Sequence, residues 1–276
     1  VIAAETAFTD STSTTTYTNT TGAAQTLYIH ATDFGNTDTG TYTVAVTAPT
    51  PLDSIDWGGS ALASSAVTVY FAAAGEVFDG VTSLGWTQTQ INNVMAALAD
   101  MAKGTNLTFT LTTNSAAATF KMVTENNSLV DYSAYMNPPI VANPGVGVFN
   151  IANMNLDNLI QGSLDYFIIQ HEAGHALGLA HPHDTGGGSV IMNGVSGAFG
   201  DLGDYNLNQG VNTIMSYNPG YYQLYGYPSG TYGATVGPMA LDLALLQQKY
   251  GSVAANTGSN VYTLPGTNAT GTFFST

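Results

Sequence analysis

Polar and apolar residues alternate along the first fifty positions, as in Thr26-Leu27-Tyr28-Ile29-His30 and Thr41-Tyr42-Thr43-Val44-Ala45-Val46. A period of two in β-branched and aromatic residues, broken at Gly35-Asn36 and Asp38-Thr39-Gly40, predicts two or three strands joined by turns. Residues 1–50 therefore read as a small β appendage. Ala48-Pro49-Thr50-Pro51 follows as a stiff linker, since proline and the residue before it both disfavour helix. The main domain is expected over residues 52–251, with 252–276 as a tail.

Past the linker, Ala66 to Phe71 predicts a strand and the next run predicts a helix. Thr87 can cap it, Gln90 can reach back in a capping box, and Ile91, Val94, Met95, Leu98 and Met101 recur at helical spacing until Gly104. Leu107 to Leu111, Ala118 to Val123, Tyr132 to Met136 and Gly145 to Phe149 read as strands. Strand, helix, strand, strand implies an α/β half. Ser163 can cap a second helix with Asp165 in its first turn and Gly178 as its stop. A third is expected from Pro238 to just before Gly251. Between them lie about 55 residues rich in Gly, Asn, Asp, Ser and Tyr with little periodicity, a length that in a compact domain points to the lining of a binding cleft.

Composition narrows the partners. A chain of 276 residues, 44% hydrophobic, can bury one substantial core with a small appendage. Its 18 Asp and Glu stand against 3 Lys and no Arg, for a net charge of −15. Binding to phosphates needs clustered Lys or Arg, so neither nucleic acid nor an anionic membrane is an expected partner. No apolar run reaches the length of a membrane span, and no basic segment precedes an apolar one at the start. With no cysteine, disulfides are excluded and the redox compartment is unread. Abundant Thr, Ser, Asn and Gly with little charge fits an exported bacterial protein, and the start at Val1 fits a processed form.

The chemistry concentrates in His171-Glu172-Ala173-Gly174-His175-Ala176-Leu177-Gly178-Leu179-Ala180-His181. On a helix, positions 171 and 175 differ by about 40° of rotation and one turn of rise, so both imidazoles leave one face and can share a tetrahedral ion. Glu172, one residue on, is displaced from that pair but can reach a water in the open coordination position. Gly178 can take the left-handed conformation that ends a helix, which lets His181 swing back as third ligand. Three neutral imidazoles with one open position are the catalytic arrangement of zinc, with Glu172 as general base. Solvated or structural histidines are the bland alternative. Four of the chain's five histidines, however, fall between 171 and 183 in ligand spacing beside a base. His183 lies outside that spacing and reads as a loop residue or a support behind a ligand; His30 reads as structural or solvated.

This eleven-residue pattern is the metzincin signature. With Pro182 after the third histidine, it resembles the serralysin group of bacterial secreted zinc endopeptidases. Ile214-Met215-Ser216-Tyr217 resembles that group's Met-turn, which implies Met215 as a floor beneath zinc and Tyr217 as a displaceable fifth ligand. Alone, such a Met is ordinarily core and such a Tyr packing; position after the zinc motif gives them weight. Asp56-Trp57-Gly58, the helix at 88–102, Tyr135 and Gly237-Pro238-Met239 to Tyr250-Gly251 keep the order of a serralysin catalytic domain, over roughly residues 52–265. The fold class implied is α+β. A twisted, mostly parallel sheet with two helices lies above an open cleft, and an irregular lower half ends in a C-terminal helix.

Two departures stand out. Serralysins continue into calcium-binding glycine-rich repeats, and no Gly-Gly-x-Gly-x-Asp unit exists here. Gly186-Gly187-Gly188 lacks the aspartate and reads only as a flexible loop, while Val261-Tyr262 resembles the strand that leads into such repeats. Ca2+ therefore has no motif behind it, and Zn2+ is the expected cofactor. Residues 1–50 resemble the closing half of a bacterial pre-peptidase C-terminal domain. The expected function is a secreted, extracellular endopeptidase acting on protein or peptide substrates as a monomer. Alternatives are a zinc-stabilised binding or adhesion module, which would not need Glu172, and a zinc hydrolase of non-peptide substrates.

Overall fold

The computed structural model describes residues 49–218, 233–254 and 258–259. The chain divides into two units, Val1–Pro49 and Thr50–Thr276; the second carries everything that follows. The strands expected within residues 1–48 and near 260–264, and His30, lie outside the described residues.

Runs of β-branched and aromatic residues make the strands. β1 (Ala66–Phe71), β4 (Thr108–Leu111), β5 (Phe120–Glu125) and β7 (Val146–Asn150) pair in parallel. β6 (Ala134–Met136) runs antiparallel along β7, giving the order β4-β1-β5-β7-β6. Between β1 and the first helix, β2 (Val77–Phe78) and β3 (Val81–Thr82) form a short antiparallel hairpin that the sequence pattern did not predict. Two residues a side are too few to show periodicity.

Each sheet face meets a different layer. Val67, Val69, Phe120, Met122 and Phe149 join the main core with the helices, while Val123, Val146 and Val148 pack with Tyr70, Tyr135 and the hairpin's Phe78 and Val81. β7 is buried at all five residues, as a strand covered on both faces must be.

Helix α1 (Gln88–Ala102) begins with the expected reciprocal cap: Thr87 Oγ1 accepts from Gln90 N–H at 3.3 Å and Gln90 Oε1 accepts from Thr87 N–H at 3.0 Å. Its Val94, Ala97, Leu98 and Met101 are fully buried against α2 and the sheet. Covering Leu98 or Met101 is worth about 1.5–3 kcal/mol each. Helix α2 (Leu164–Ala176) starts at Ser163, whose hydroxyl accepts from Tyr166 N–H at 3.2 Å. Helix α3 (Ala240–Tyr250) starts two residues after the expected Pro238. Met239 is extended there, and Asp242 in the first turn accepts its N–H at 2.8 Å, which sets the true start. Among the described residues, no helix is long and apolar enough to cross a membrane.

Candidate metal centre

α2 is buried on all sides from Ile169 to Ala176, so its polar side chains at 170, 171, 172 and 175 must each find partners inside the protein. The helix then ends as the sequence predicts. Gly178 has φ +86°, its N–H donates to His175 O at 2.9 Å, and Leu179 N–H donates to Gly174 O at 2.9 Å. These two bonds form a Schellman cap. A Cβ at Gly178 would also lie 2.2 Å from Ser60 O, so glycine is required twice over.

The returning chain is clamped by a segment far away in sequence. Trp57 N–H donates to Gly178 O at 3.0 Å and Ala180 N–H to Ile55 O at 2.8 Å, an antiparallel bridge centred on Asp56 and Leu179. From α3, Lys249 Nζ reaches Asp56 Oδ1 at 2.6 Å and Ser60 O at 2.7 Å, while Tyr250 O–H donates to Leu177 O at 2.8 Å. His181 therefore sits at the end of a braced strand.

Three imidazoles converge from these two elements. His181 Nε2 lies 3.2 Å from His171 Nε2 and 3.0 Å from His175 Nε2. Each opposite nitrogen faces an atom that can only accept: His171 Nδ1 meets Ile214 O at 2.7 Å and His175 Nδ1 meets Leu179 O at 3.0 Å. His181 Nδ1 meets Asp184 Oδ2 at 2.8 Å. The Nδ1 atoms therefore carry the protons, and three Nε2 lone pairs point at one another. Burial pushes His171 down to about 3 and His175 well below the usual histidine range, with neighbouring histidines adding to both shifts. Neutral, mutually repelling lone pairs call for a cation. Zinc–nitrogen bonds of about 2.0–2.1 Å in tetrahedral array separate ligand nitrogens by about 3.3 Å, close to the observed spacing. These donors fit zinc.

Glu172 follows on the same helix, 9% exposed. Burial raises its carboxyl to about 8, against the pull of the Met136 backbone N–H on edge strand β6. Met215 is fully buried below the cluster, and a Cβ at Gly174 would fall 2.7 Å from its sulfur. Gly174 is thus what lets the thioether sit against the helix. The Tyr217 ring lies 4.8 Å from that of His181 and 5.6 Å from that of His171. Burial, then the charges of Glu172 and Asp184, push its phenol up to about 12, so it is a hydrogen-bond donor at neutral pH.

All six residues singled out from sequence are thus brought together. His183 joins them, its ring stacked on His181 at 4.8 Å and beside Tyr217 at 4.5 Å. Missed from sequence were Asp184, the Met136 N–H, and Phe199, which is 76% exposed and lies 5.4 Å from the Tyr217 ring. Only Asp184 had a readable signal, a carboxylate three positions past the third histidine of the motif. The glycine run Gly186–Gly188, expected to be a flexible loop, is instead a tight turn with Gly187 at φ +63° and Gly188 at φ +86°, laid on Trp57. A Cβ would stand 2.8 Å from the indole at Gly186 and 2.2 Å at Gly187, so these two glycines serve close packing.

An α+β domain with a three-histidine cluster able to hold a metal ion is the class that fold and site define. No protein-family model matches the chain. Among curated proteins it is similar to serralysin C of Dickeya chrysanthemi, 30% identical over 225 residues that cover 76% of this chain and 44% of that protein. Serralysin A of the same organism is 29% identical over 234 residues, with the same coverages. Serralysin B is 29% identical over 192 residues, 64% of this chain and 37% of that protein. The chain spans less than half the length of these relatives. The similarity agrees with the resemblance drawn from the motifs.

Proposed function

We propose that the chain is a secreted zinc endopeptidase of the serralysin group, its catalytic domain lying in residues 52–251. One observation carries the reading: three Nε2 lone pairs meet with all three Nδ1 protons already committed, one residue from a buried carboxylate. A binding module has no use for that carboxylate.

Zinc held by His171, His175 and His181 supplies Lewis acidity, polarising a carbonyl and acidifying a water. Glu172 is the base that takes the proton and returns it to the departing amine. Glu172, its pKa raised by burial, would be drawn back toward neutrality by a dication held at the three histidines, where a general base works best. Tyr217, protonated, donates to the developing oxyanion.

The edge of β6 suits an extended polypeptide. Asn137 N–H bonds Val146 O, and Asn150 N–H bonds Ser133 O, so alternate peptide groups at 133 and 137 face β7. By alternation, the peptide groups of Ala134 and Met136 face away from β7; with the Met136 N–H directed at Glu172, the Ala134 N–H and C=O and the Met136 C=O are left for a substrate strand to pair with by backbone hydrogen bonds. Protein and peptide chains are thus the substrate class; the net charge of −15 disfavours polyanions.

Casein digestion tests the reading. Cleavage at internal bonds that stops with a zinc chelator and returns with added zinc is expected; zinc binding without cleavage would mark a binding module.

A further inference from the structure

Asp242 is a fully buried carboxylate that the proposed chemistry does not use. It lies in the first turn of α3, and its oxygens are fully engaged. Oδ2 accepts the Ile214 and Met239 N–H groups, each at 2.8 Å, and Oδ1 accepts the Thr213 hydroxyl at 2.6 Å.

From Oδ1 a continuous chain of donors leads to the metal centre. Met215 N–H donates to Thr213 Oγ1 at 3.1 Å. That N–H shares a peptide unit with Ile214 O, which accepts from His171 Nδ1 at 2.7 Å. Every donor points the same way, from imidazole to peptide to hydroxyl to carboxylate. Thr213, Ile214, Met215 and Asp242 are all fully buried, so water does not compete at any link. Hydrogen bonds in such a row strengthen one another in a low dielectric.

The three ligands are therefore supported unequally. His181 has a carboxylate directly on Nδ1, at Asp184, whereas the His175 Nδ1 bond ends on the Leu179 carbonyl. We propose that Asp242 is the carboxylate partner of His171, acting through Thr213 and the 214–215 peptide to fix the ring and enrich Nε2 as a ligand. A metal-bound histidine gains orientation and basicity from a carboxylate behind it. Here the same carboxylate ties α3 to the Met215 turn, so one residue couples the closing helix to the metal centre. The inference rests on the zinc reading above.

Zinc affinity, measured by chelator competition, tests it without reference to turnover. Thr213→Val cuts the row while leaving both backbone bonds to Asp242. It is expected to weaken zinc about 10–100-fold, the scale for losing a support behind a ligand. Thr213→Ser, which keeps the hydroxyl, is expected to bind like wild type. Thr213→Ala is measured in parallel, and the affinity compared with wild type is that of whichever hydroxyl-free variant keeps the wild-type near-UV circular dichroism without metal. Unchanged affinity in that variant overturns the relay and leaves the zinc site standing, as does a serine variant as weak as valine. Wild-type protein that fails to take up zinc overturns the zinc reading itself.

Discussion

His171, Glu172 and His175 ride on a helix embedded in apolar side chains, whereas His181, Met215 and Tyr217 come from connecting segments whose buried side chains include Ser189, Asn208, Gln209, Thr213, Ser216 and Asn218. Apolar packing is non-directional and tolerates small shifts; a buried hydrogen-bond network holds a side chain in one place but penalises any member left without a partner. One site is thus assembled from two kinds of support. The first fixes where His171, His175 and Glu172 stand. The second surrounds His181 and Tyr217, with bonds such as Ser216 Oγ to Asn208 Oδ1 at 2.7 Å.

The largest expected effect belongs to the apolar side of that comparison. Glu172→Ala should lower kcat by about 10²–10⁴-fold, the contribution of a positioned general base. Zinc content should hold, because the three imidazoles are untouched. Retained turnover would move the base to another group and remove the reason for burying this one.

Tyr217→Phe probes the polar side. Losing one oxyanion donor costs about 3 kcal/mol, or roughly 10²-fold in kcat, with KM near wild type when the contact forms only in the transition state. Full zinc occupancy is expected. Wild-type kinetics would make Tyr217 a packing residue beside Phe199 and His183.

A pH experiment sharpens the contrast, because Asp242 belongs to the polar network yet is buried as deeply as the core. Burial raises its pKa from 3.8 to about 6, against the pull of Thr213 and two backbone N–H groups. Between about pH 4 and 6 the folded protein keeps a proton that the unfolded chain has released. The folded state binds more protons there, so this contribution to stability is full below about pH 4 and is lost as pH rises through about 6. Two pKa units correspond to roughly 3 kcal/mol. Stability of metal-free wild type relative to Asp242→Asn, from urea melts at successive pH values, should fall by up to that amount across the window. A pH-independent difference would show that Asp242 does not titrate there.

The two supports were not equally legible. Periodicity located β1 and α1 at their observed bounds, and the capping residues Thr87 and Ser163 marked where two helices begin. The histidine spacing and Gly178 were enough to place three converging imidazoles and the reversal between them. Nothing comparable announces the polar half. Asn208 and Asn218 sit in a glycine-rich run with no period, and their partners depend on how residues 199–218 coil back on themselves. Gly186 and Gly187 misled for the same reason: a glycine reads as freedom in a sequence, and only the position of Trp57 shows that it is close approach. Hydrophobic period is a property of neighbouring residues, whereas a side-chain-to-backbone network is a property of the finished fold.

Asn208→Ala is the smallest and most local test of that distinction. Its amide donates to Asp201 O at 2.7 Å and its carbonyl accepts the Ser216 hydroxyl at 2.7 Å. Asp201 O keeps a second donor, Asn218 Nδ2 at 3.1 Å, so the backbone is not orphaned. Ser216 Oγ still accepts from Asn218 N–H at 3.1 Å but loses the acceptor for its own proton. One buried hydroxyl left unpaired costs about 1–3 kcal/mol. Because Ser216 lies between Met215 and Tyr217, that cost should fall on the turn and not on the sheet. Hydrogen exchange should accelerate in residues 199–218 and stay unchanged in β5, β7 and α1, with zinc still bound by the two helix histidines and the clamped His181. Uniformly faster exchange throughout the domain would mean that the polar half and the apolar half open together, and that the division between the two supports has no energetic meaning.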